Sequence, residues 1–170
     1  MPRPTPPEPL TPTHDCREFD CGEPALNDWL RLRALANESR FSRTYVTCME
    51  GRVVGFYCLS AGAVDRAVVP GRLRRNAPDR VPVTILGRLA VARGHAGQGI
   101  GADLLSDALA RVAMASRSIG IAALLVHAKD DRSKAFYLHC AEFLEYPGDS
   151  RVLWLPLDTV VRGMGGPGQS

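Results

Sequence analysis

Apolar residues in this chain change rhythm at one point, and that point organises the rest. From Val83 to Val91 the run V-T-I-L-G-R-L-A-V is apolar and β-rich, which predicts a strand. Gly94, Gly97, Gly99 and Gly101 then follow in close order as a glycine-dense turn. From Ile100 onward, Leu104, Leu105, Ala108, Leu109 and Val112 recur at three- and four-residue spacing, one face of a helix predicted to run to about Arg117. The solid apolar run Ile121 to His127 predicts a central buried strand, so strand, helix and strand make a parallel crossover.

The flanking segments carry weaker signals. Met1 to Pro12 has proline at positions 2, 4, 6, 7, 9 and 12 and is expected to be disordered. Asp20-Cys21-Gly22-Glu23-Pro24 reads as a turn opening a helix to about Asn37, which buries Leu26, Trp29 and Leu30 and exposes Arg31 and Arg33. Thr44 to Cys48 and Val53 to Ala63 predict a hairpin joined by Met49-Glu50-Gly51-Arg52. Asp65 to Arg80 is an Arg- and Pro-rich connection with room for one helical turn. A short helix, Arg132 to His139, carries Tyr137. Phe143 to Tyr146 and Val152 to Leu155 predict a closing hairpin around Pro147-Gly148-Asp149-Ser150, and Gly163 to Ser170 a flexible tail. The class is α/β (mixed α+β): a sheet of six to seven strands, antiparallel first and parallel at its centre, flanked by about four helices. One domain, 13–162, is expected between a disordered segment, 1–12, and the tail, 163–170.

Composition narrows the class. The 170 residues suffice for one core. Apolar residues make up 45%, yet no run approaches the roughly 18 needed to span a membrane. The proline-rich N-terminus lacks the apolar stretch of a secretory signal. Cys16, Cys21, Cys48, Cys58 and Cys140 are scattered and odd in number, which reads as reduced core thiols in a cytoplasmic protein without metal. Net charge is only +3, but Arg supplies 19 of the 21 basic side chains. Arg66, Arg72, Arg74, Arg75, Arg80, Arg88 and Arg93 face a single acid, Asp79, between positions 66 and 93. Codon bias explains an Arg preference, and a basic loop is often merely solvated; neither explains the clustering.

The glycine turn is the first candidate for chemistry. Glycines let backbone N–H groups converge, and a helix start adds roughly half a positive charge, so the pair makes a cradle for an anion such as a pyrophosphate. A nucleoside-triphosphate loop is excluded, because Ala102-Asp103 follows Gly101 where Lys-Ser/Thr is required. A dinucleotide fingerprint at Gly97, Gly99 and Ala102 lacks its βαβ setting, since the next strand ends in His127 rather than an acid. A glycine turn that binds nothing stays open.

Taken with Phe136-Tyr137, the stretch resembles the GNAT superfamily of acetyl-CoA-dependent N-acetyltransferases. Their loop Q/R-x-x-G-x-G/A is matched by Ala96-Gly97-Gln98-Gly99-Ile100-Gly101, with Ala96 departing from Gln or Arg. Their N-x-x-A-x-x-F-Y segment corresponds to Asp130 through Tyr137, with Asp130 for Asn and Ser133 for Ala. The resemblance implies the GNAT fold with a splayed parallel pair at its centre. It also implies acetyl-CoA held by Leu89, Ala90 and Val91, by Gly97, Gln98, Gly99, Gly101 and Ala102, and by Asp130, Ser133 and Phe136. Tyr137 becomes the candidate acid for the leaving sulfur, against a core tyrosine. Cys140 as a nucleophile lacks a His/Asp relay, His127 reads as a base or a core imidazole, and His95 stays undecided.

A second resemblance covers more of the chain. Phe19 to Leu30 (F-D-C-G-E-P-A-L-N-D-W-L), Ser42 to Val46, Val54 to Tyr57, Leu86 to Val91 and Val152 to Leu157 are similar to the acetyltransferase toxins of bacterial toxin–antitoxin pairs. That implies acetylation of the α-amine on aminoacyl-tRNA, a translation block, and neutralisation by a ribbon-helix-helix antitoxin; a homodimer is the expected assembly. Arg72, Arg74, Arg75 and Arg88 are the candidate tRNA contacts. The rivals are acetylation of a protein N-terminus or a small amine, and a non-catalytic acyl-CoA binder. A plain RNA-binding module is disfavoured because no aromatic-rich RNA-binding strand is present.

Overall fold

The computed structural model describes residues 2–146 and 148–165, and the element order is mixed α/β. Strand order among the described residues is β1-β2-β3-β4-β5-β7-β6. The strands are β1 (Glu8–Pro9), β2 (Arg43–Met49), β3 (Arg52–Asp65), β4 (Arg80–Val91), β5 (Ala123–His127), β6 (Leu144–Tyr146) and β7 (Asp149–Pro156). Chain contacts divide into two compact units. The first comprises residues up to Ser60 together with Gly87–Ala108, and the second Ala61–Leu86 with Leu109 onward.

In the first unit β2 and β3 form the expected hairpin, closed by Glu50 (φ 53°) and Gly51 (φ 81°). Two successive left-handed residues make the turn whose twist matches paired strands. Val53 to Cys58 is buried throughout. Phe56 is wholly buried, with Phe19 edge-on at 5.4 Å and Trp29 stacked at 6.1 Å between ring centres. Trp29 comes from the helix predicted to Asn37, which forms as α1 (Pro24–Asp28), a π-helical turn (Trp29–Arg33) and α2 (Ala34–Asn37). The Ala34 N–H donates to the Trp29 carbonyl five residues back, so Trp29, Leu30 and Ala34 all stay buried.

Residues 1–12 were expected to be disordered, and Thr5 to Leu10 are not. Glu8–Pro9 pairs antiparallel with Tyr45 and Val46 of β2. The Thr5 and Leu10 N–H groups donate to Cys48 and Thr44 carbonyls at 2.8 and 2.9 Å. Proline is tolerated on an edge strand, and the donors come from the residues between the prolines. His14 adds a tie: its Nδ1 accepts the Thr11 N–H at 2.9 Å and its Nε2 meets Glu8 at 2.8 Å. Cys48 lies beside this pair, bringing three potential metal-ligand atoms within 4.8 Å, but both ring nitrogens already hold the segment in place.

In the second unit β5 is the buried strand predicted. It pairs parallel with β4, from Val83↔Ala123 to Leu86↔Val126, and antiparallel with β7. Val69, Val81, Val83, Ala123 and Trp154 form its core. The Asp65–Arg80 connection carries a 3₁₀ turn (Arg66–Val68) and α3 (Gly71–Arg74). The long helix α4 (Ile100–Ala115) and α5 (Asp131–Cys140) fall where expected. The tail expectation is corrected in part, because α6 (Leu157–Gly165) is helical and buries Leu157 and Val160; 166–170 lie outside the described residues. Among the described residues no helix is long and apolar enough to cross a membrane.

Candidate active site

The first unit carries the candidate anion cradle. β4 continues to Val91, where Leu89 and Val91 are half-buried and Ala90 packs against the Phe56 cluster. A 3₁₀ turn (Arg93–His95) follows, and then Gly97 and Gly99 adopt φ of +76° and +82°. Side chains with a Cβ rarely adopt this region, so the loop needs glycine at both places. A Cβ built on either would meet nothing within 4 Å, which leaves the space over the backbone open to a ligand. Gln98 and Ala102 are exposed and Gly101 is half-buried. The helix begins where the Asp103 N–H donates to the Gly99 carbonyl at 3.1 Å, which aims the first-turn N–H groups of α4 toward the glycine segment. These residues fit a diphosphate.

The second unit carries Tyr137, the candidate proton donor. Tyr137 lies on α5, 7% exposed, between Phe136 and Phe143 in edge contacts at 5.2 and 5.7 Å. Burial pushes its phenol well above the ordinary value, with the Cys140 thiol adding to the shift. Among the described residues its hydroxyl makes no hydrogen bond. The ring packs as a core tyrosine does, and its protonated hydroxyl is uncommitted among the described residues. Asp130 and Ser133 have a local task as well: the Ser133 N–H donates to Asp130 Oδ1 at 2.8 Å, capping α5. That bond holds the Asp130 carboxyl below its ordinary range.

The arginine cluster separates into held and open members. Arg66 pairs with Asp79 at 3.4 Å, Arg72 with Asp158 at 3.0 Å, and Arg80 donates to the Ala63 carbonyl at 3.0 Å. Arg88 lies over the Trp29 ring at 4.1 Å, and Arg93 pairs with Asp20. Arg74 and Arg75 are exposed and, among the described residues, in no ion pair. The Arg72-Arg74-Arg75 triplet is thus not one outward-facing group.

Among the described residues the remaining candidates gain no catalytic partner. His127 ends β5 exposed, paired through its backbone with Val152, so it is not a core imidazole. His95 is half-buried, with Nδ1 enclosed and without a hydrogen-bond partner among the described residues. Burial raises the Cys140 thiol above its ordinary range, opposite to what a nucleophile requires. Cys58, pushed up to about 12 by burial, is likewise inert. Three residues with local roles here were not singled out as site residues from the sequence: Asp20, Asn27 and Trp29. Their signal was present in the F-D-C-G-E-P-A-L-N-D-W-L stretch, but Trp29 read simply as core.

Residues 9–143 match the family model described as Acetyltransferase (GNAT) family. A tRNA-acetylating toxin of Mycobacterium tuberculosis is 52% identical over 134 residues, covering 78% of this chain and 81% of that protein. The toxin AtaT, solved in complex with acetyl-methionyl-tRNAfMet, superposes with a TM-score of 0.86 at 30% identity, over 95% of this chain and 99% of that one. A tyrosine-to-phenylalanine variant of AtaT, bound to acetyl-CoA and the C-terminus of the antitoxin AtaR, gives 0.81 at 30% identity, over 95% and 98%. The chain belongs to the GNAT acetyltransferase family, in the branch of the tRNA-acetylating toxins.

Proposed function

We propose that this protein is an acetyl-CoA-dependent N-acetyltransferase toxin that modifies the α-amine of the aminoacyl group on charged tRNA and so blocks translation. What carries the reading is the 52% identity to a tRNA-acetylating toxin over most of both chains. The reaction belongs in the cytoplasm, where charged tRNA and acetyl-CoA meet. A small antitoxin of the ribbon-helix-helix class neutralises the enzyme, which works as a homodimer.

Acetyl-CoA supplies an acetyl group on a thioester. The Gly97–Gly101 backbone holds the diphosphate, and Leu89, Ala90 and Val91 present main-chain groups to the arm that carries the thioester. The acceptor nitrogen forms its bond to the acyl carbon as the carbon–sulfur bond breaks. The amine releases a proton to solvent, Tyr137 donates one to the leaving sulfur, and the phenolate regains its proton from water. Arg74 and Arg75 meet acceptor phosphates, and Arg88, held over Trp29, contacts the acceptor.

The test is transfer of labelled acetyl from acetyl-CoA to three acceptors: a pool of aminoacyl-tRNAs, the same pool deacylated, and a set of peptide N-termini and polyamines. Label on charged tRNA alone is expected. Label on peptides or amines with none on tRNA overturns the reading.

A further inference from the structure

The F-D-C-G-E-P-A-L-N stretch has a purpose that core packing does not cover. Asp20 is the hub of a polar cluster between the start of α1 and the turn after β4. Its Oδ1 accepts the Gly22 N–H at 2.9 Å and the Asn27 side-chain amide at 3.0 Å. Its Oδ2 accepts from the Arg93 guanidinium, and its backbone carbonyl accepts the Arg93 N–H at 2.8 Å. Asn27, 6% exposed, completes the ring by accepting the Cys21 N–H at 2.9 Å. Gly22, at φ +91°, leaves room for the Arg93 stem: a Cβ there would lie 3.3 Å from Arg93 Cδ.

We propose that Asp20 is a positioning residue for the donor phosphates, acting through Arg93 to fix the turn from which the glycine segment departs. The inference rests on the glycine turn being the acetyl-CoA cradle. Arg93–His95 immediately precedes Gly97 and Gly99, whose freedom makes ordering the loop costly on binding. Helix α4 holds the far end of that loop. The near end is held by the Ala92 N–H on the Val54 carbonyl at 2.8 Å and by the double contact from Arg93 to Asp20. The Asp20 and Arg93 side chains are 47% and 69% exposed, so their Coulomb attraction adds little to stability. What the pair provides is geometry: one residue gripped by both its backbone and its side chain.

Asp20→Asn separates position from folding. An Asn can keep its oxygen toward Gly22 and Asn27, and its amide then faces the Arg93 guanidinium donor to donor, releasing Arg93 alone. The KM for acetyl-CoA should rise about tenfold, while kcat at saturation stays within about twofold and the KM for charged tRNA is unchanged. Backbone amides from Gly94 to Gly101 should exchange faster, and Asp20→Asn added to Arg93→Gln should be no worse than Arg93→Gln alone. Gly99→Val is the control for the underlying reading. If it raises the acetyl-CoA KM and Asp20→Asn does not, the role assigned to Asp20 is wrong. If Asp20→Asn and Arg93→Gln add independently, Asp20 does not act through Arg93, and the proposal is likewise overturned. If Gly99→Val itself leaves the KM unchanged, the cradle reading is what fails.

Discussion

Reversing the charge of Arg74 and Arg75 together tests the acceptor reading most directly. Both are exposed and in no ion pair among the described residues, so Arg74→Glu/Arg75→Glu removes little from the fold. Arg72 is left alone, because Glu there would face Asp158, its present partner at 3.0 Å, and disturb the contact with α6. Each phosphate neutralised by a cation contributes roughly 0.7 to 0.9 to the slope of log affinity against log salt. Two contacts contribute about 1.4 to 1.8, so from about 50 to about 200 mM salt the wild type should lose about 7- to 12-fold more affinity than the variant. The assay is the KM for charged tRNA at saturating acetyl-CoA, with the acetyl-CoA KM as control because that donor also carries phosphates. Parallel salt dependences for the two proteins would show that neither arginine touches the acceptor, and charge complementarity would have to be sought elsewhere.

The other predictions concern the donor half and the core. Tyr137→Phe should lower kcat by roughly 10²- to 10⁴-fold while the melting curve hardly moves, since the lost hydroxyl has no hydrogen-bond partner among the described residues. Because burial raises the phenol above its ordinary value of 10.0, it is protonated below that value, and kcat should show no alkaline fall up to about pH 9. A basic limb below that pH which disappears in the Phe variant would place the phenol's titration lower than its burial implies, and a kcat unchanged in the Phe variant would refute the acid role. Gly99→Val puts a β-branched residue at φ +82° and should weaken acetyl-CoA binding at least tenfold by calorimetry; unchanged affinity returns the loop to a plain turn. Phe56→Ala, at a wholly buried ring between Phe19 and Trp29, should cost about 3–5 kcal/mol in urea unfolding. A loss below about 1 kcal/mol would mean the first unit does not rest on this cluster.

The strands and helices were legible because burial leaves a pattern: Ile100 to Val112 shows the three-to-four repeat of a helix, while Val53 to Cys58 and Ala123 to Val126 are unbroken runs of strand length. The edge strand Glu8–Pro9 was not. Its pairing with Tyr45 and Val46 bridges nearly forty residues, and proline richness outweighed the few donors that make the ladder. Helix α6 was hidden by the glycines at its end. The glycine turn was legible because positive φ at Gly97 and Gly99 selects glycine directly. Asp20 was not legible as a hub, since nothing local to Phe19–Asn27 says that Arg93 returns beside it.

Arginine count illustrates the same limit more sharply. Seven arginines between positions 66 and 93 suggested a phosphate-binding surface, yet Arg66, Arg72, Arg80, Arg88 and Arg93 each have a partner within their own unit. A guanidinium is equally suited to carboxylates, carbonyls, indole faces and phosphates, so composition reports its versatility and not its target. What distinguishes Arg74 and Arg75 is position: they close α3 at an exposed turn, where Asn76 takes up φ +60°. What distinguishes Arg88 is the opposite, a half-buried cation on Trp29 with little freedom to reorient. An exposed pair outside any ion pair among the described residues is suited to the long-range attraction of a polyanion, and a held, partly desolvated guanidinium to a single oriented contact. If tRNA is the acceptor, salt should therefore act through Arg74 and Arg75, while the geometry at the amine depends on Arg88.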